Sequence, residues 1–595
     1  MIGRWLSLSL SLALALLAAA PAQAAPPWIA PADLSAPGHS SASPDVAIDP
    51  QGNAVAVWSS RLPGAERRVQ AALRPQGGGW QAPVDLSAAG QDAGAPHVAV
   101  DAQGNAVVAW VRSNGAEQVV QSAARPAGGA WQAAVDISAA GGDARAVQLG
   151  TDAHGTAVAV WLRGSAGTAA VQGAVRPAGA AWHAAADLSA PGQSAGDPQV
   201  GVGGQGTAVV VWPGNVATPA PGLFAAVRAA GGAWQAPVTL AAGARYPSSP
   251  RVAVDALGNA VAVWQRLVGT TWVGGDDGRG DHIPDHRVQA ALLPAGGAWQ
   301  AATDLSATGS GSLDPQVAAG ARGDAVVVWS RSAVFNALSV VESAVRPAGA
   351  GWQPPDVLSG GRGAHALRPQ AAVDVAGRAV AVWTYGSLRT GVEGAVRLPG
   401  RGWQAPSNLA PSGRVAAWPS LAVDARGHAV AVWRRGSPTD PLDGRIQASD
   451  ANIAPAAPPG PAVRALRLSP ATFRAAGSGP SVNPGARRAS TIVRYRVNAA
   501  AVVRFEVQRV AAGRRAGAGC VAPKRANRGR SRCERFITLP GGFTRRRTPG
   551  ADRLTFTGRV RGRALKAGHY RLVATPSVDE RRGVAARARF RIRAG

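Results

Sequence analysis

The chain has 595 residues, only two cysteines and a formal net charge of +28. A chain of this length exceeds one ordinary hydrophobic core, so we expect several domains or a repeat array. After residue 24 no segment reaches the roughly 18 uninterrupted apolar residues that a membrane helix needs, which excludes a helical membrane protein.

The first residues have the pattern of an export signal. Arg4 precedes an apolar run from Trp5 to Ala20, and Ala22-Gln-Ala24 matches a small-residue cleavage site. We therefore predict a signal peptide over residues 1–24. The protein is then expected to be secreted and either extracellular or associated with the cell envelope.

One motif recurs eight times after this signal. Asp101-Ala-Gln-Gly-Asn-Ala-Val-Val-Ala-Trp110 is a clear copy, and each repeat holds four Val- and Ala-rich runs of strand length separated by turn residues. Four-stranded units of about 50 residues that cover one another on both faces are typical of a β-propeller. The motif tryptophan recurs at Trp58, Trp110, Trp161, Trp212, Trp264, Trp329, Trp383 and Trp433.

The phase of the repeats predicts how the propeller closes. The run Trp28–Ser35 matches the outer strand of a repeat but precedes the first repeat, and the last copy, Pro419–Asp450, lacks that run. We therefore predict an eight-bladed β-propeller over residues 25–451, with the N-terminal strand closing the last blade. This region resembles the propeller repeats of uncharacterised exported bacterial proteins. It lacks the Asp and Trp spacing of sialidase-like repeats, so no sialidase chemistry is expected.

The turn of each motif carries a glycine in all eight copies and an aspartate in six. Gly203 and Gly320 replace the aspartate in the other two copies. A hairpin turn with a positive φ explains the glycine, and the aspartate can cap backbone N–H groups. A metal-binding ring of aspartates is the alternative, and the two copies without a carboxylate disfavour it.

Each innermost strand has one polar position whose residue type varies among the repeats. It follows a proline in most copies, so we predict that these side chains ring one mouth of the central channel and bind a glycan or protein ligand. A solvated rim without a ligand is the alternative. The positions are Asp45, His97, Gln148, Gln199, Arg251, Gln316, Gln370 and Ser420.

We assign no catalytic residue. Glu342 and Glu393 occupy a repeat position that otherwise holds glutamine, which disfavours an acid and base pair. A polysaccharide-active hydrolase or lyase remains open through the aspartates, and so does a purely structural envelope protein. An enzyme is the less favoured of these alternatives.

An insertion over Thr271–His286 contains the one distinctive loop. The stretch Asp276–Asp285 resembles the calcium loops of thrombospondin type 3 repeats. The histidines at 282 and 286 would equally suit zinc, and a solvated acidic loop is the third alternative. No cofactor is required elsewhere. The calcium ligands that the resemblance implies are Asp276, Asp277, Asp281 and Asp285.

A proline-rich linker over residues 452–462 precedes a second domain, residues 463–595. From Pro461 onward there are 32 Lys+Arg and 5 Asp+Glu. Alternating strands predict an immunoglobulin-like β-sandwich, and Leu565–Tyr570 resembles a tyrosine corner. The segment also resembles C-terminal modules of secreted high-GC bacterial proteins. We expect a disulfide between Cys520 and Cys533 after export, with two free thiols as the alternative.

Arginine fills most outward positions of this domain, and we place Arg559 among them. Codon bias can favour arginine over lysine, but it cannot remove the acids. We therefore predict that the domain tethers a monomeric protein to anionic wall glycans or another polyanion, whereas export disfavours nucleic acid. The predicted contact residues are Arg528, Arg530, Arg532, Arg545, Arg546, Arg547, Arg587, Arg589, Arg591 and Arg593.

Overall fold

The computed structural model describes residues 28–594 apart from short internal segments. The chain divides into two compact units, residues 1–454 and 455–595, and the described residues contain no α-helix. None of them forms a helix long and apolar enough to cross a membrane. The predicted signal peptide lies outside the described residues. The internal segments left out are 114, 166, 191, 215–220, 243–246, 275–279, 308–310, 333–337, 361–363, 387–389, 411–414, 437–443, 455–460, 487, 518 and 579–580, with 595 at the end.

The first unit is all-β and propeller-like. Six of its sheets have four antiparallel strands each, and the strands of the first and last repeats form one eight-stranded sheet, in which Ser40 makes a parallel bridge to Gly444. We count the two four-stranded halves of that eight-stranded sheet separately. We number the sheets 1 to 8 in the order of their first strands. The first strands are Ser40–Ile48, Ala93–Val100, Ala144–Thr151, Gln199–Val202, Ser248–Val254, Gly311–Ala319, Ala366–Val373 and Val415–Val423. The second strands are Ala54–Arg61, Ala106–Ser113, Ala157–Arg163, Ala208–Gly214, Ala260–Gly274, Ala325–Ser332, Ala379–Tyr385 and His428–Gly436.

The third and fourth strands complete each sheet on its outer side. The third strands are Arg68–Arg74, Gln118–Arg125, Ala170–Arg176, Gly222–Arg228, Gly280–Leu293, Val340–Arg346, Gly391–Arg397 and Gly444–Asn452. The fourth strands of sheets 1 to 7 are Val84–Asp85, Val135–Asp136, Ala186–Asp187, Val238–Ala241, Thr303–Asp304, Asp356–Val357 and Ser407–Asn408. The fourth strand of sheet 8 is Ala32–Asp33, from the N-terminal end of the described chain.

The N-terminal strand is held to sheet 8 by backbone and side-chain contacts. Leu34 donates its backbone N–H to the carbonyl of Ile446 at 2.7 Å. Gln447 donates from Nε2 to Asp33 Oδ1, also at 2.7 Å. This pairing agrees with the repeat phase, in which the first outer strand belongs to the last sheet.

The second strands are buried because apolar residues occupy both of their faces. The motif tryptophan is fully buried in all eight sheets. Val55 and Val57 of sheet 1 pack in one cluster with Trp110 of sheet 2. Val432 of sheet 8 packs in the same way in one cluster with Trp58 of sheet 1. Each sheet therefore buries its neighbour's tryptophan, and the last sheet also contacts the first.

The turn aspartates cap backbone groups, which confirms that interpretation of the motif. Asp101 is 2% exposed. Its Oδ1 accepts from the backbone N–H groups of Gln103 at 2.9 Å and Asn105 at 2.8 Å, and its Oδ2 accepts from Asn105 Nδ2 at 2.6 Å. The carboxylate oxygens are therefore occupied by the turn itself.

Sheet 6 corrects the expectation that a copy with Gly320 lacks the turn carboxylate. The carboxylate of Asp324, four residues later, fills the space where a side chain at Gly320 would lie. The same oxygen lies 3.4 Å from the Cβ position of Gly377 in sheet 7. Burial raises the pKa of Asp324. The carboxylate of Asp324 thus occupies the place that the turn aspartate occupies in the other sheets.

The second unit has two sheets around one hydrophobic core. The smaller sheet contains Val463–Ser469, Thr491–Val497 and Gly550–Phe556. The larger sheet contains Thr472–Phe473, Ala501–Ala516, Gly519–Val521, Arg532–Thr538, Phe543–Arg547, Gly568–Val578, Arg581–Arg582 and Ala586–Ile592. Arg559–Val560 pairs with Arg563–Ala564, and Arg525–Asn527 forms one 3-10 turn.

Two local features stabilise the second unit. Cys520 and Cys533 form the expected disulfide, with an S–S distance of 2.06 Å. The Tyr570 hydroxyl donates to the backbone carbonyl of Lys566 at 2.8 Å. This is the hydrogen bond of a tyrosine corner, and it joins the start of a central strand to the turn that precedes it.

Candidate functional site

The eight residues predicted to ring the channel mouth line one cavity of about 640 Å³, which we call the mouth cavity. Each first strand supplies one of them. Asp45 and Ser420, which are 375 positions apart in the chain, are joined by a hydrogen bond of 2.8 Å from the serine hydroxyl. The structure therefore brings the predicted residues together. The lining residues from the ring are Asp45, His97, Gln148, Gln199, Arg251, Gln316, Gln370 and Ser420.

Asp45 is the most connected residue of this ring. Its Oδ1 accepts from the backbone N–H of Val46 at 2.9 Å as well as from Ser420. Its Oδ2 accepts from the backbone N–H of Val98 at 3.1 Å and lies 3.3 Å from His97 Nδ1. The carboxylate thus links sheets 8, 1 and 2 and orients the imidazole of His97.

The rest of the ring supplies amides and one half-buried cation. Gln148 Nε2 lies 3.2 Å from His97 Nε2, which continues the chain of polar contacts. Arg251 donates from Nε to Gln316 Oε1 at 3.2 Å and from Nη1 to the carbonyl of Pro250 at 2.8 Å. Burial lowers the pKa of Arg251, and the more distant carboxylates of Asp314 and Asp197 oppose this effect. A cavity with these groups suits a polar ligand that carries hydroxyl groups.

A second set of residues, five of which line the mouth cavity, was not predicted from the sequence. In seven first strands a β-bulge shifts the register just before the mouth position, as between Gly94 and His97 in sheet 2. The residue two places before the mouth position has φ between 49° and 54° in all seven. We call these residues the bulge ring: Ser43, Ala95, Ala146, Ser249, Asp314, Arg368 and Trp418.

The bulge ring is small on one side of the unit and large on the other. Sheets 1 to 3 carry serine or alanine there, whereas sheets 6 to 8 carry Asp314, Arg368 and Trp418, all exposed and all lining the mouth cavity. The sequence held one signal for this site. Sixteen of the 19 tryptophans occupy two repeat positions, and Trp418 is one of the three that do not.

The glutamates of the repeats have structural partners. Glu342 accepts from the Trp329 indole N–H at 3.0 Å and from Arg331 Nε at 2.6 Å. In sheet 1 the same position holds Gln70, which accepts from Trp58 Nε1 at 3.1 Å. Glutamate and glutamine thus fill one structural role at this position.

The predicted calcium loop is only partly described. Asp276 and Asp277 lie outside the described residues. Asp281 and Asp285 lie on the long third strand of sheet 5, where they pair with Val273 and Gly269. Among the residues that the structure describes, no group of three or more His, Cys, Asp or Glu is placed to hold a metal ion. The calcium site therefore stays a prediction.

The predicted polyanion contacts all belong to the larger sheet of the second unit or to loops next to it. The last strand carries Arg587, Arg589 and Arg591, and all three are exposed. Arg589 forms an ion pair of 2.5 Å with Glu534. Arg547 is half-buried and pairs with Asp552 at 2.5 Å, so it has a structural partner. The remaining predicted residues, Arg528, Arg530, Arg532, Arg546 and Arg593, are exposed, and Arg545 is half-buried.

Arg559 is a correction, because the sequence analysis placed it on the outside. It is 9% exposed, and its guanidinium donates to the carbonyls of Gly479 at 2.8 Å and Gly477 at 2.6 Å. The alternating pattern fails here because residues 559–560 belong to a short separate hairpin and not to the preceding strand. Arg559 holds a loop in place and is not part of a charged surface.

The smaller sheet carries a surface that the sequence analysis did not single out. Arg467 pairs in register with Arg494, and Arg494 pairs with Arg553 on the third strand. We call these three residues the arginine ladder. All three are exposed, and none of their guanidiniums forms a hydrogen bond or ion pair with any described residue. Arg464 and Arg496 form a second pair beside them.

Like charges directly opposite each other destabilise a sheet, so the arginine ladder has a cost to folding. A cationic ladder whose guanidiniums pair with no carboxylate of the described residues is a surface to which an anionic polymer can add the missing charges. On the larger sheet a related cluster surrounds Arg571. Burial lowers the pKa of Arg571, and the neighbouring charges of Arg587 and Arg589 lower it further. Both faces of the unit are therefore electropositive.

A separate groove of about 920 Å³ lies at one end of the second unit. Arg509, Arg561, Arg563 and Lys566 line it together with the ring of Tyr570. The groove combines cationic and apolar walls. Guanidinium groups in such a lining have the donor geometry that suits carboxylates and phosphates.

No family model and no curated protein matches the chain. Solved structures do match it. The BP39L lectin from Burkholderia pseudomallei is 14% identical with a TM-score of 0.41, and the match covers 64% of this chain and 100% of the lectin. The Penicillium chrysogenum α-L-arabinanase is 11% identical with a TM-score of 0.33, covering 72% of this chain and 99% of that one. The NanB sialidase from Streptococcus pneumoniae is 8% identical with a TM-score of 0.33, over 72% and 99%. At such low identity and TM-score, nothing about ligand or activity follows for this chain.

Proposed function

We propose that the chain is a secreted, cell-envelope-associated binding protein. Its mouth cavity holds a glycan or protein ligand, and its basic second unit attaches to anionic wall polymers. One observation carries this proposal: the buried position of each repeat is constant, whereas the position that lines the mouth cavity varies. The second-strand tryptophan is the same in all eight sheets, whereas the mouth positions carry five different residue types in one cavity. Such variation on a constant frame favours recognition.

The proposal includes the finer fold, in which the eight sheets are the blades of one closed propeller. Contacts between the last and first sheets support closure. Arg74 pairs with Asp450 at 2.5 Å, and Arg426 donates to the carbonyl of Gln51 at 3.2 Å. We also propose an immunoglobulin-like sandwich for the second unit, and the Tyr570 corner supports it.

The proposed location rests on chemistry in both units. The pattern of residues 1–24 fits an export signal, and the disulfide between Cys520 and Cys533 suits an oxidising compartment outside the cytoplasm. The arginine ladder supports attachment to phosphate- or carboxylate-bearing polymers, because the guanidinium binds both groups with two parallel hydrogen bonds. We propose that the protein acts as a monomer.

An enzyme is the second candidate, and one observation favours it. Asp45 and His97 form a carboxylate and imidazole pair inside the mouth cavity, with 3.3 Å between Oδ2 and Nδ1. A histidine oriented in this way can act as a general base or acid toward a bound substrate. A polysaccharide lyase or hydrolase would place its substrate over this pair.

Binding of the full-length protein to a glycan array tests the proposal, with and without calcium. The array is read at high salt, because screening suppresses surface contacts made by the second unit. We expect binding to a restricted set of glycans that is lost when His97, Gln199 and Gln370 are all changed to alanine. Equal binding by this triple variant would contradict a role for the mouth cavity. A loss of binding on calcium removal would support the predicted loop over residues 276–285.

A further inference from the structure

Trp418 occupies a position that is costly for a tryptophan. It lies in the bulge of the first strand of sheet 8, with φ of 53°, a left-handed conformation that bulky side chains rarely adopt. Its side chain is 41% exposed, whereas the eight motif tryptophans are fully buried. Strained residues of this kind concentrate at ligand sites, because the surrounding structure must hold them there. Burial in a core does not explain Trp418, since its side chain lines the mouth cavity.

Two guanidinium groups lie close to the Trp418 ring. Arg434 lies 5.5 Å from the ring centroid, is half-buried, and donates from Nε to the carbonyl of Ser41 at 3.1 Å. Arg368, from the bulge of sheet 7, lies 5.6 Å from the centroid and is exposed. Its guanidinium forms no hydrogen bond or ion pair with any described residue. Arg434 therefore supports the ring, and Arg368 presents a cation at the cavity.

The groups beside this pair fit hydroxyls. Gln370 follows Arg368 by two residues, and Ser420 follows Trp418 by two residues, so both line the same part of the mouth cavity. An amide both donates and accepts hydrogen bonds, as sugar hydroxyls do. Two acids line the cavity, Asp45 and Asp314. The oxygens of Asp45 already accept from Val46, Val98 and Ser420. A ligand carboxylate in this cavity therefore needs the Arg368 guanidinium to offset the charge of both acids.

We propose that Trp418 and Arg368 form a platform that binds a sugar bearing a carboxylate, such as a uronic acid unit of a glycan. The indole stacks against the C–H face of the sugar ring, and the Arg368 guanidinium binds the carboxylate. This inference rests on the proposed ligand-binding role of the mouth cavity and names the ligand class. The serine and alanine positions of sheets 1 to 3 leave room for the rest of the glycan.

The test uses the full-length protein labelled with 5-fluorotryptophan. No tryptophan follows Trp433, so every fluorine signal comes from the first unit. A glycan that binds only to the second unit is therefore not expected to shift these signals. The Trp418 resonance is assigned by its absence in Trp418→Phe. The probes are trigalacturonate and its neutral methyl ester. We expect the Trp418 resonance to shift with trigalacturonate.

Affinities are then measured by calorimetry at high salt, where surface charges of the second unit are screened. We expect Trp418→Ala to weaken trigalacturonate binding at least about tenfold, as for a residue at the centre of a binding site, and Trp418→Phe to weaken it by no more than about threefold. Arg368→Gln should weaken binding of the acid but not of the methyl ester. Leu257→Ala, an exposed residue at the turn of sheet 5, is the control and should change neither affinity.

The outcomes separate this inference from the broader proposal. If the Trp418 resonance stays fixed while His97→Gln weakens glycan binding, the platform is wrong and the mouth cavity remains a binding site. If acid and methyl ester bind equally, the role of Arg368 is wrong. If no glycan binds and neither set of variants changes anything, both this inference and the ligand-binding role of the cavity are overturned.

Discussion

The carboxylate of Asp424, in the last repeat, lies against the turn of Gly52 in the first. A Cβ added at Gly52 would be 3.2 Å from Asp424 Oδ2. The same relationship joins Asp101 of sheet 2 to Gly155 of sheet 3, where the Cβ would be only 2.6 Å from Oδ2. The turn glycine is thus required for two reasons: its backbone has a positive φ, and a Cβ would crowd the carboxylate of the neighbouring sheet.

This double requirement predicts that Gly155→Ala is more damaging than an ordinary substitution at positive φ. The left-handed conformation costs an alanine about 1–2 kcal/mol, and crowding against Asp101 adds roughly 1–3 kcal/mol. Gly64→Ala is the matched control, because Gly64 has φ of 76° and nothing within 4 Å of its Cβ position. Thermal unfolding should show a clearly larger loss for Gly155→Ala. Equal losses would mean that the carboxylate contact contributes nothing.

The N-terminal strand is expected to stabilise the first unit by packing against sheet 8, which comes from the other end of that unit's sequence. Leu34 is 5% exposed and packs in one cluster with Ile446 and Val432 of sheet 8. Leu34→Ala should lower the free energy of unfolding by about 2–4 kcal/mol through the cavity it creates. Val84→Ala, on the exposed fourth strand of sheet 1, should have little effect. Urea unfolding followed by tryptophan fluorescence measures both, and a small effect at Leu34 would contradict strand exchange as a stabilising contact.

Tyr495, Asp552 and Arg547 predict the pH dependence of the second unit. Burial and the hydrogen bond to Asp552 raise the pKa of Tyr495 to about 12. Burial would raise the pKa of Asp552, but hydrogen bonds from Tyr495 and Arg547 outweigh it and lower that pKa below 3.8. The tyrosine therefore contributes stability that is complete below pH 10.0 and lost as the pH rises toward about 12. The aspartate contributes stability that is present above pH 3.8 and lost at lower pH.

Two substitutions check these signs. Asp552→Asn should lower the unfolding free energy at neutral pH by about 1–3 kcal/mol and reduce the loss of stability in acid. Tyr495→Phe should reduce the loss between pH 10.0 and about 12. Glu506→Gln removes an exposed pair with Arg504 and is expected to cost less than about 1 kcal/mol. Melting of the second unit, followed by circular dichroism at several pH values, measures all three variants. If Asp552→Asn loses as much stability in acid as the unchanged protein does, the role assigned to the Asp552 carboxylate is wrong.

The arginine ladder predicts a substitution that stabilises the fold and weakens binding. Changing Arg467, Arg494 and Arg553 to glutamine removes opposed like charges, each pair costing on the order of 0.2–1 kcal/mol. The melting temperature should therefore stay equal or rise. Cosedimentation of the full-length protein with acidic wall polymer at low salt should fall. Both changes follow from the same repulsion, which only an anionic partner relieves.

The control for this experiment changes the same number of charges on the other sheet. Arg587, Arg589 and Arg591 become glutamine, and one of them already pairs with Glu534. This second triple should reduce cosedimentation less than the ladder triple. Equal reductions would show that net charge alone decides binding, and no reduction in either would refute the tether.

The Asp45 and His97 pair separates a binding protein from an enzyme. We expect Asp45→Asn and His97→Gln to weaken glycan binding in the mouth cavity, with no turnover of acidic polysaccharides by the unchanged protein. Reducing-end and unsaturated-product assays on the array's bound glycans measure turnover. Turnover that both substitutions abolish would favour the polysaccharide-active alternative.

The sequence by itself determined the repeat, its period and its turn chemistry, because these depend on residues close together in the chain. A fully buried tryptophan, a glycine at positive φ and alternating Val and Ala act within a single hairpin, so their roles at Trp110 and Gly104 could be read directly. The mouth residues were also found, since one variable polar position per repeat implies one place in space.

Only the tertiary structure decided which side chains meet. The left-handed bulge that turns Trp418 and Arg368 into the mouth cavity arises from pairing register, which local sequence does not specify. Strand register also places Arg467 opposite Arg494. Arg559 is buried because it belongs to a short separate hairpin, although the alternating pattern of the sequence predicted that it would point outward. Charge composition is a property of the chain, but a charged surface depends on which residues the folded sheets leave without a partner.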